Sequence, residues 1–370
     1  MKSKFFPALA VLIGTAIGAG FLGIPYVIGK SGFLPGIIYL FLIAIFMLII
    51  KLYLGEISLR TKGNHQLTGY AERYLGKPGK WLMFFAMIFG IYSALIAYLI
   101  AEGQTLSYVI SGTQNYSFIF SILFFILMAF LTSIGLRALK KYEKIAMIFV
   151  IAFILLIFFF FISGVKPENL TYINKENIFM PFGLILFSFL AFSAMPEVER
   201  ILHGQEKLMK KVILAGVLIP LIIYFIFTLV VVGNLGNGVQ EIAVLSLGRF
   251  FSLLAVLTMF TAFFALSIAI RDMFRFDFNL GRTKGWLLAI IIPLIFFLLI
   301  YFFKFASFIQ LLSLSGIVSG GLTGILILLM NKKAKQEGNR KPEYIIKISW
   351  PIIIILSAIF ILAVILELVF

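Results

Sequence analysis

The stretch Gly14-Thr15-Ala16-Ile17-Gly18-Ala19-Gly20, with Pro25 following it, interrupts an apolar segment over 5–29 that would otherwise read as a plain transmembrane helix. In lipid an unwound backbone leaves amides and carbonyls unpaired at a cost of several kcal/mol each. Such a break therefore persists only where it lines a cavity enclosed by protein. A ligand-bearing cavity of the kind a transporter holds is the first expectation from this chain.

The rest of the chain supports that reading. Of its 370 residues 62% are hydrophobic, 16% aromatic and only 12% charged, the composition of a protein dissolved in lipid. A helix needs about 20 apolar residues to cross a hydrocarbon core of roughly 30 Å. Eleven segments qualify, near 5–29, 33–54, 81–110, 116–136, 142–163, 178–202, 212–233, 250–270, 286–303, 305–330 and 350–368. They are numbered here as spans 1 to 11, and the expected fold class is an all-α polytopic membrane protein.

A net charge of +16 would suit a nucleic-acid partner, but its distribution excludes one. The basic residues recur in every second loop, as a topology determinant does. With the N-terminus in the cytoplasm, that side collects 25 of the 31 basic residues. They comprise Lys2 and Lys4, five between Arg60 and Lys80, four from Arg137 to Lys144, four from Arg200 to Lys211, four from Arg271 to Lys284 and six from Lys332 to Lys347. Lys30, Lys166, Lys175, Arg249 and Lys304 fall on the other side. Lys51 lies within span 2 and is expected to snorkel to the cytoplasmic end or, like Glu56, to be paired. The expectation is an integral protein of the plasma membrane with the N-terminus cytoplasmic and the C-terminus outside. The first apolar stretch leads at once into a second span, unlike a cleaved signal peptide, and should remain in the mature protein. With no cysteine there are no disulfides or thiolate metal sites.

Five spans precede the 164–177 linker and five follow it. An odd number of helices per repeat turns the second repeat upside down, the inverted topology common among secondary transporters. The expected organisation is a first five-helix repeat over 1–163, an extracellular linker over 164–177, a second inverted repeat over 178–330, and a basic linker with the extra helix over 331–370. The first helix of each repeat should then be broken. Span 6 reads Phe187-Ser188-Phe189-Leu190-Ala191-Phe192-Ser193-Ala194-Met195-Pro196-Glu197-Val198-Glu199-Arg200. Proline removes an amide donor and disfavours helix in the preceding residue, which predicts unwinding over 193–196. Interruptions at corresponding places in two halves point to a binding site at the membrane midplane.

The run from Gly14 to Tyr26, with Gly32 opening span 2, resembles the first helix of the amino acid/auxin permeases and the aromatic amino acid permeases. Phe189-Leu-Ala-Phe-Ser-Ala-Met-Pro-Glu-Val198 resembles the sixth helix of the same families. These belong to the amino acid–polyamine–organocation superfamily, and the resemblance, over roughly residues 5–330, implies a LeuT-type 5+5 inverted repeat plus one extra C-terminal helix.

At the first break, Thr15, Gly18, Ala19, Gly20 and Phe21 are candidate substrate-binding residues. Small side chains let a ligand approach main-chain amides, and the half-helix that follows points its positive dipole end at a carboxylate. The resemblance implies the same role, with the substrate ammonium received by free carbonyls of spans 1 and 6. Gly14-xxx-Gly18 is equally a close-packing motif of membrane helices. At the second break Phe192, Ser193 and Ala194 match the position where the superfamily lines its substrate pocket, with Phe192 a candidate lid.

Span 3 carries Tyr98, Glu102 and Thr105 on one helical face. An ionisable residue inside a span marks a pathway or a proton relay, which makes Glu102 both a pocket and an ion-coupling candidate. Counted from Trp81 along a straight helix, however, Glu102 lies about 30 Å away, at the level of the outer headgroups. Glu197, Glu199, Arg200 and His203 follow the second break and are either an inner gate with a proton-coupling role or a solvated helix end. Thr258 and Thr261 stand at i, i+3 on span 8, where the resemblance implies hydroxyls that hold sodium with span 1 carbonyls. Ala262 after Thr261, and Gly14 in place of an asparagine, depart from that pattern and favour proton over sodium. A membrane threonine also commonly bonds its own i−4 carbonyl.

The sequence holds no P-loop lysine motif, no His-x-x-x-His pair and no Gly-x-Ser-x-Gly elbow, so an enzyme is not expected, nor any cofactor. Span 1 offers no hard ligand for a metal ion. The expected function is a secondary transporter of neutral or aromatic amino acids, coupled to a proton or sodium gradient. Spans 1, 2, 6 and 7 would rock against spans 3, 4, 8 and 9, with span 5 and residues 313–321 of span 10 as thin gates. The expected partners are the amino acid, the coupling ion and membrane lipid, and nothing in the sequence signals an oligomeric state. A non-transporting amino acid sensor of the same fold is the alternative, and a channel would want a continuous polar face instead.

Overall fold

The computed structural model describes residues 3–63, 65–135 and 139–369, with side chains at all of these except 139–147, 363 and 366–369. Lys2 and Arg137 of the charge pattern lie outside the described residues, as do the side chains of Lys140, Lys141 and Lys144. Among the described residues the secondary structure is helical, apart from an isolated antiparallel bridge between Gly32 and Ile173. Among the described residues eight helical segments are long and apolar enough to cross a membrane, and a ninth is formed by a pair of helices bent at 49°. Spans 5 and 11 correspond to shorter apolar stretches, Ile148–Gly164 and Trp350–Leu362. Large apolar side chains such as Phe41, Phe130, Phe159 and Phe303 stand exposed on the outside of the bundle, as lipid-facing groups do.

The bent pair is span 1. Helix α1 (Phe5–Ala16) ends and α2 (Gly20–Ser31) begins across residues 17–19. The amide of Gly18 donates to the carbonyl of Ala16 at 3.0 Å, closing an inverse γ-turn around Ile17 (φ −85, ψ 73). The break is narrower than the glycine run that predicts it, because Gly14 stays inside α1. Pro25 stays inside α2.

Helices α3 (Phe33–Arg60), α4 (Leu67–Ser111), α5 (Ser117–Ile134) and α6 (Leu139–Phe161) follow, then the short α7 (Pro167–Thr171). Span 3 begins earlier than expected. Its helix runs back to Leu67 through a kink at Gly76, whose φ of 72 is open to glycine and which precedes Pro78 by two residues.

Span 6 consists of α8 (Pro181–Ser188) and α9 (Met195–Leu202), separated by residues 189–191 and a 3-10 turn over Phe192–Ala194. The unwinding predicted over 193–196 is displaced toward the N-terminus. Pro196 occupies the first turn of α9, where no amide donor is needed and its fixed φ suits a helix. The turn itself is made by Ala191, a left-handed alanine at φ 42, ψ 25, a conformation that costs an L-residue about 1–2 kcal/mol.

The remaining helices are α10 (Met209–Leu235), α11 (Arg249–Phe276), α12 (Arg282–Phe303), α13 (Phe308–Ser315), α14 (Gly321–Glu337) and α15 (Trp350–Val369). A π-turn over Gly316–Gly320 joins α13 to α14. Helix α4 is the axle of the bundle, packed on α5, α11, α12, α13 and α14. The pair α1–α2 packs on α10 and on the pair α8–α9, so the two broken spans lie side by side. Lys4 Nζ donates to the carbonyl of His203 at 2.6 Å, while on the opposite face Lys30 Nζ donates to that of Asn237 at 3.0 Å.

Candidate functional site

The two breaks face a common cavity of about 60 Å³. Thr15 and Ala16 contribute from the first break, and Phe187, Ala191, Phe192 and Ser193 from the second. Helix α4 supplies the opposite wall with Met87, Gly90, Ala94 and Tyr98, and the π-turn region adds Ser315 and Ser319. Among the described residues no charged side chain lines this cavity. The C-terminal end of α1 and the 3-10 turn that precedes α9 meet at it, so carbonyls at the end of a half-helix are on hand.

Tyr98 is the polar fixture of the wall. A Cβ built on Gly18 would lie 2.7 Å from its hydroxyl oxygen and 3.0 Å from Ala262 Cβ, and the same hydroxyl reaches the backbone of Ala19. Gly20 is pressed as closely on the other span, since a Cβ there would lie 2.6 Å from Ser188 Oγ. A Cβ on Gly14 would meet nothing within 4 Å, so the close-packing explanation of the Gly14-xxx-Gly18 spacing fails at its first member.

Of the expected pocket residues Thr15, Tyr98, Phe192 and Ser193 line this cavity, whereas Gly18, Ala19, Gly20, Phe21, Glu102 and Ala194 do not. Phe21 is fully buried against Phe227 and Tyr224, turned away from the cavity by the helical phase of α2. Ala194 lines a second space instead, a vestibule of about 70 Å³ on the N-terminal face. That vestibule shares Thr15 and Ser193 with the central cavity and is bordered by Gln66, Glu197, Arg200 and Asp272. Glu199 and His203 do not border it, because α9 ends at Leu202 and His203 is exposed. On the opposite face a cavity of about 990 Å³ lies among Gln104, Gln240, Glu241, Lys304 and Gln310, with no residue in common with the central one.

Glu102 is enclosed within the bundle. It is 1% exposed, and neither carboxyl oxygen has a hydrogen-bond partner among the described residues. It stands one turn beyond Tyr98. Helices α4 and α11 run antiparallel, and Tyr98 and Ala262 meet at Gly18, so Glu102 and Thr258 come level with each other on facing sides. Thr258 is fully buried, and its hydroxyl donates within its own helix to Leu254 and Ala255, as that of Thr261 does to Leu257 and Thr258.

Lys51 departs from expectation. It does not snorkel, being fully buried, and its Nζ has no partner among the described residues. Helix α3 continues nine residues past it to Arg60, about 13 Å, which is farther than a lysine side chain extends. Glu56 is paired as expected, with Arg60 at 2.9 Å and Lys335 at 3.9 Å, and it accepts from the Ile346 amide at 3.0 Å.

The residue with no signal in the sequence is Tyr224, on α10. Its hydroxyl reaches the carbonyl of Ala16 at 2.8 Å and that of Ser188 at 3.0 Å, the last helical residues of α1 and α8. A tyrosine in an apolar span carries no motif, and only the spatial meeting of the two breaks reveals it.

Comparison with known proteins agrees with this architecture. The sequence profile of a family described as the tryptophan/tyrosine permease family matches residues 1–239. The glutamine transporter 2 of Aliivibrio fischeri is 26% identical over 244 residues, covering 64% of this chain and 62% of that protein. The tyrosine-specific transport system 1 of Haemophilus influenzae is 24% identical over 80% of each chain. The tryptophan-specific transport protein of the same organism is 24% identical over 88% of this chain and 87% of its own. Among solved structures, MhsT in complex with L-phenylalanine superposes with a TM-score of 0.74 at 17% identity over 98% of both chains. The nucleobase-cation-symport-1 family transporter Mhp1 superposes at 0.59, with 13% identity, over 87% of this chain and 77% of that one. The fold is thus of the LeuT type.

Proposed function

The chain belongs to the tryptophan/tyrosine permease family, and from that premise we propose that it is a secondary transporter that moves a neutral or aromatic amino acid by alternating access. The observation that carries the reading is the shared cavity. Both broken spans open onto it, and its wall is formed by Met87, Ile91, Tyr98, Phe187, Phe192 and Leu266 without a charged group. The substrate carboxylate is held by Tyr98, the ammonium by carbonyls at the breaks such as that of Ala16, and the side chain by the apolar wall. Phe192 serves as the lid. Opening alternates between the vestibule bordered by Glu197 and Arg200 and the opposite face, as the broken spans with α3 and α10 tilt against α4, α5, α11 and α12.

Coupling is to protons. A buried carboxyl without a partner is tenable as the neutral acid, so Glu102, one turn from the substrate-facing Tyr98, loads and releases the proton. The chain lies in the plasma membrane with its N-terminus cytoplasmic and its C-terminus outside, in keeping with the positive-inside count.

The test is uptake by purified protein in proteoliposomes, with an amino acid panel under a pH gradient and separately under a sodium gradient. Accumulation of a neutral or aromatic amino acid driven by the pH gradient is expected. Saturable binding without uptake would make the protein a sensor, and uptake driven by sodium alone would overturn the proton assignment.

A further inference from the structure

The hydroxyl of Tyr224 sits where two helices end head to head. Helix α1 comes in from one face and α8 from the other, and the C-terminal carbonyls of both, Ala16 and Ser188, converge on this one oxygen at 2.8 and 3.0 Å. Each helix C-terminus carries roughly half a negative charge in partial charges on its unpaired carbonyls. Two such ends meeting in a buried space need a positive group between them, and half-helix ends of this kind commonly coordinate a small cation. Here the positive group is a hydroxyl hydrogen. Tyr224 is fully buried, and no atom of it faces the cavity.

The ring is gripped as symmetrically as the hydroxyl. Phe21, which opens α2, stacks on it at 6.0 Å and 6°, and Phe189, which follows α8, meets it edge-on at 5.2 Å. Each broken span therefore supplies one carbonyl and one aromatic ring to the same side chain. A ring fixed on both sides has little freedom to swing away, so its O–H is held in place between the two carbonyls.

We propose that Tyr224 is a positioning residue that takes the place of a monovalent cation between the two broken spans, its shared hydroxyl hydrogen setting the spacing between the carbonyl of Ala16, which borders the cavity, and that of Ser188. Removing the hydroxyl leaves two converging carbonyls that a small cation can bridge. The variant Tyr224→Phe should thus acquire an ion dependence at this point that the wild type lacks. The idea rests on the transporter reading for its purpose, but its test does not need transport.

The experiment is thermal unfolding of purified, substrate-free protein in detergent, in sodium, lithium and choline chloride at equal ionic strength, for the wild type and Tyr224→Phe. The expected result is a lower midpoint for the variant in choline, with sodium or lithium restoring a large part of the loss and moving the wild type much less. A deficit of equal size in all three salts, or no deficit, would overturn the proposal. If the phenylalanine variant is not recovered folded, Tyr224→Asn is measured in the same way. Its amide oxygen adds a ligand for the cation, so a sodium response larger than that of the wild type is expected, and its absence counts against the proposal equally. Failure of wild-type uptake with this salt pattern intact would remove the transporter reading and leave the role of Tyr224 standing.

Discussion

The hydroxyl of Tyr98 lies against Gly18, so close that a methyl group on the glycine would sit 2.7 Å from the oxygen. One residue of the unwound segment and one of the α4 wall thus fix the width of the site between them. Gly18→Ala should overpack it at a cost of about 1–3 kcal/mol and depress uptake, because the backbone at 17–19 must shift. Ala262 Cβ, the other near neighbour at 3.0 Å, is fixed to its helix backbone. The double variant Gly18→Ala/Tyr98→Phe, which removes the oxygen, should recover thermal stability more than it recovers substrate affinity. Midpoints together with KM measure both.

Among the described residues Glu102 has no hydrogen-bond partner to stabilise its charge, and glutamine matches the shape of its neutral form. Glu102→Gln should therefore fold as well as the wild type and bind substrate, yet fail to accumulate it under a pH gradient. Substrate exchange at equilibrium should continue. Wild-type accumulation in this variant would remove Glu102 from the coupling mechanism.

Gly90 sets how large a side chain the cavity takes. A methyl group there would stand 2.3 Å from Ser319 Oγ and 2.6 Å from its Cβ, across the wall from the π-turn. Gly90→Ala should lower uptake of aromatic amino acids about tenfold or more while small neutral ones lose less, the discrimination that one methyl group gives in a close-fitting pocket. Competition by the amino acid panel against a labelled substrate reads this directly.

Asp277, just beyond α11 on the N-terminal face, is held above the usual carboxylate range by burial. The hydrogen bond from Thr68 and the nearby Lys80 and His65 pull it down, and Glu72 pushes it up. A carboxyl raised in this way contributes stability that is full below the unfolded value of about 4 and is lost as pH rises through the folded value. The thermal midpoint of the wild type should thus fall, relative to Asp277→Asn, between pH of about 4 and neutrality. At neutral pH the asparagine variant should be the more stable of the two.

What was legible in the sequence follows from which features are local. The broken first span is written in its glycines, and the second break in the polar residues around Pro196, since backbone preferences act over a few residues. The second break is nevertheless displaced, because proline is compatible with the first turn of a helix and the turn is made by Ala191, a residue with no turn signature. Tyr98, expected from its helical spacing, and Phe192, expected from the family resemblance, border the cavity, whereas Phe21 does not, since one step of helical phase separates a cavity face from a packed one. The burial of Lys51 and Glu102 depends on which helices cover them, a property of tertiary packing. Tyr224 acts on residues 208 and 36 positions away, which no local pattern encodes.

The chain contains no cysteine, so a thiol can be placed at the site without altering any background residue. Ser193 borders both the central cavity and the vestibule. The most direct measurement is therefore the labelling rate of Ser193→Cys by a small, water-soluble thiol reagent in proteoliposomes, with and without each amino acid of the panel. Slowing by a neutral or aromatic amino acid, and by no charged one, is the predicted result. A rate that no amino acid changes, in a variant that still takes up substrate, would contradict a binding site between the two broken spans.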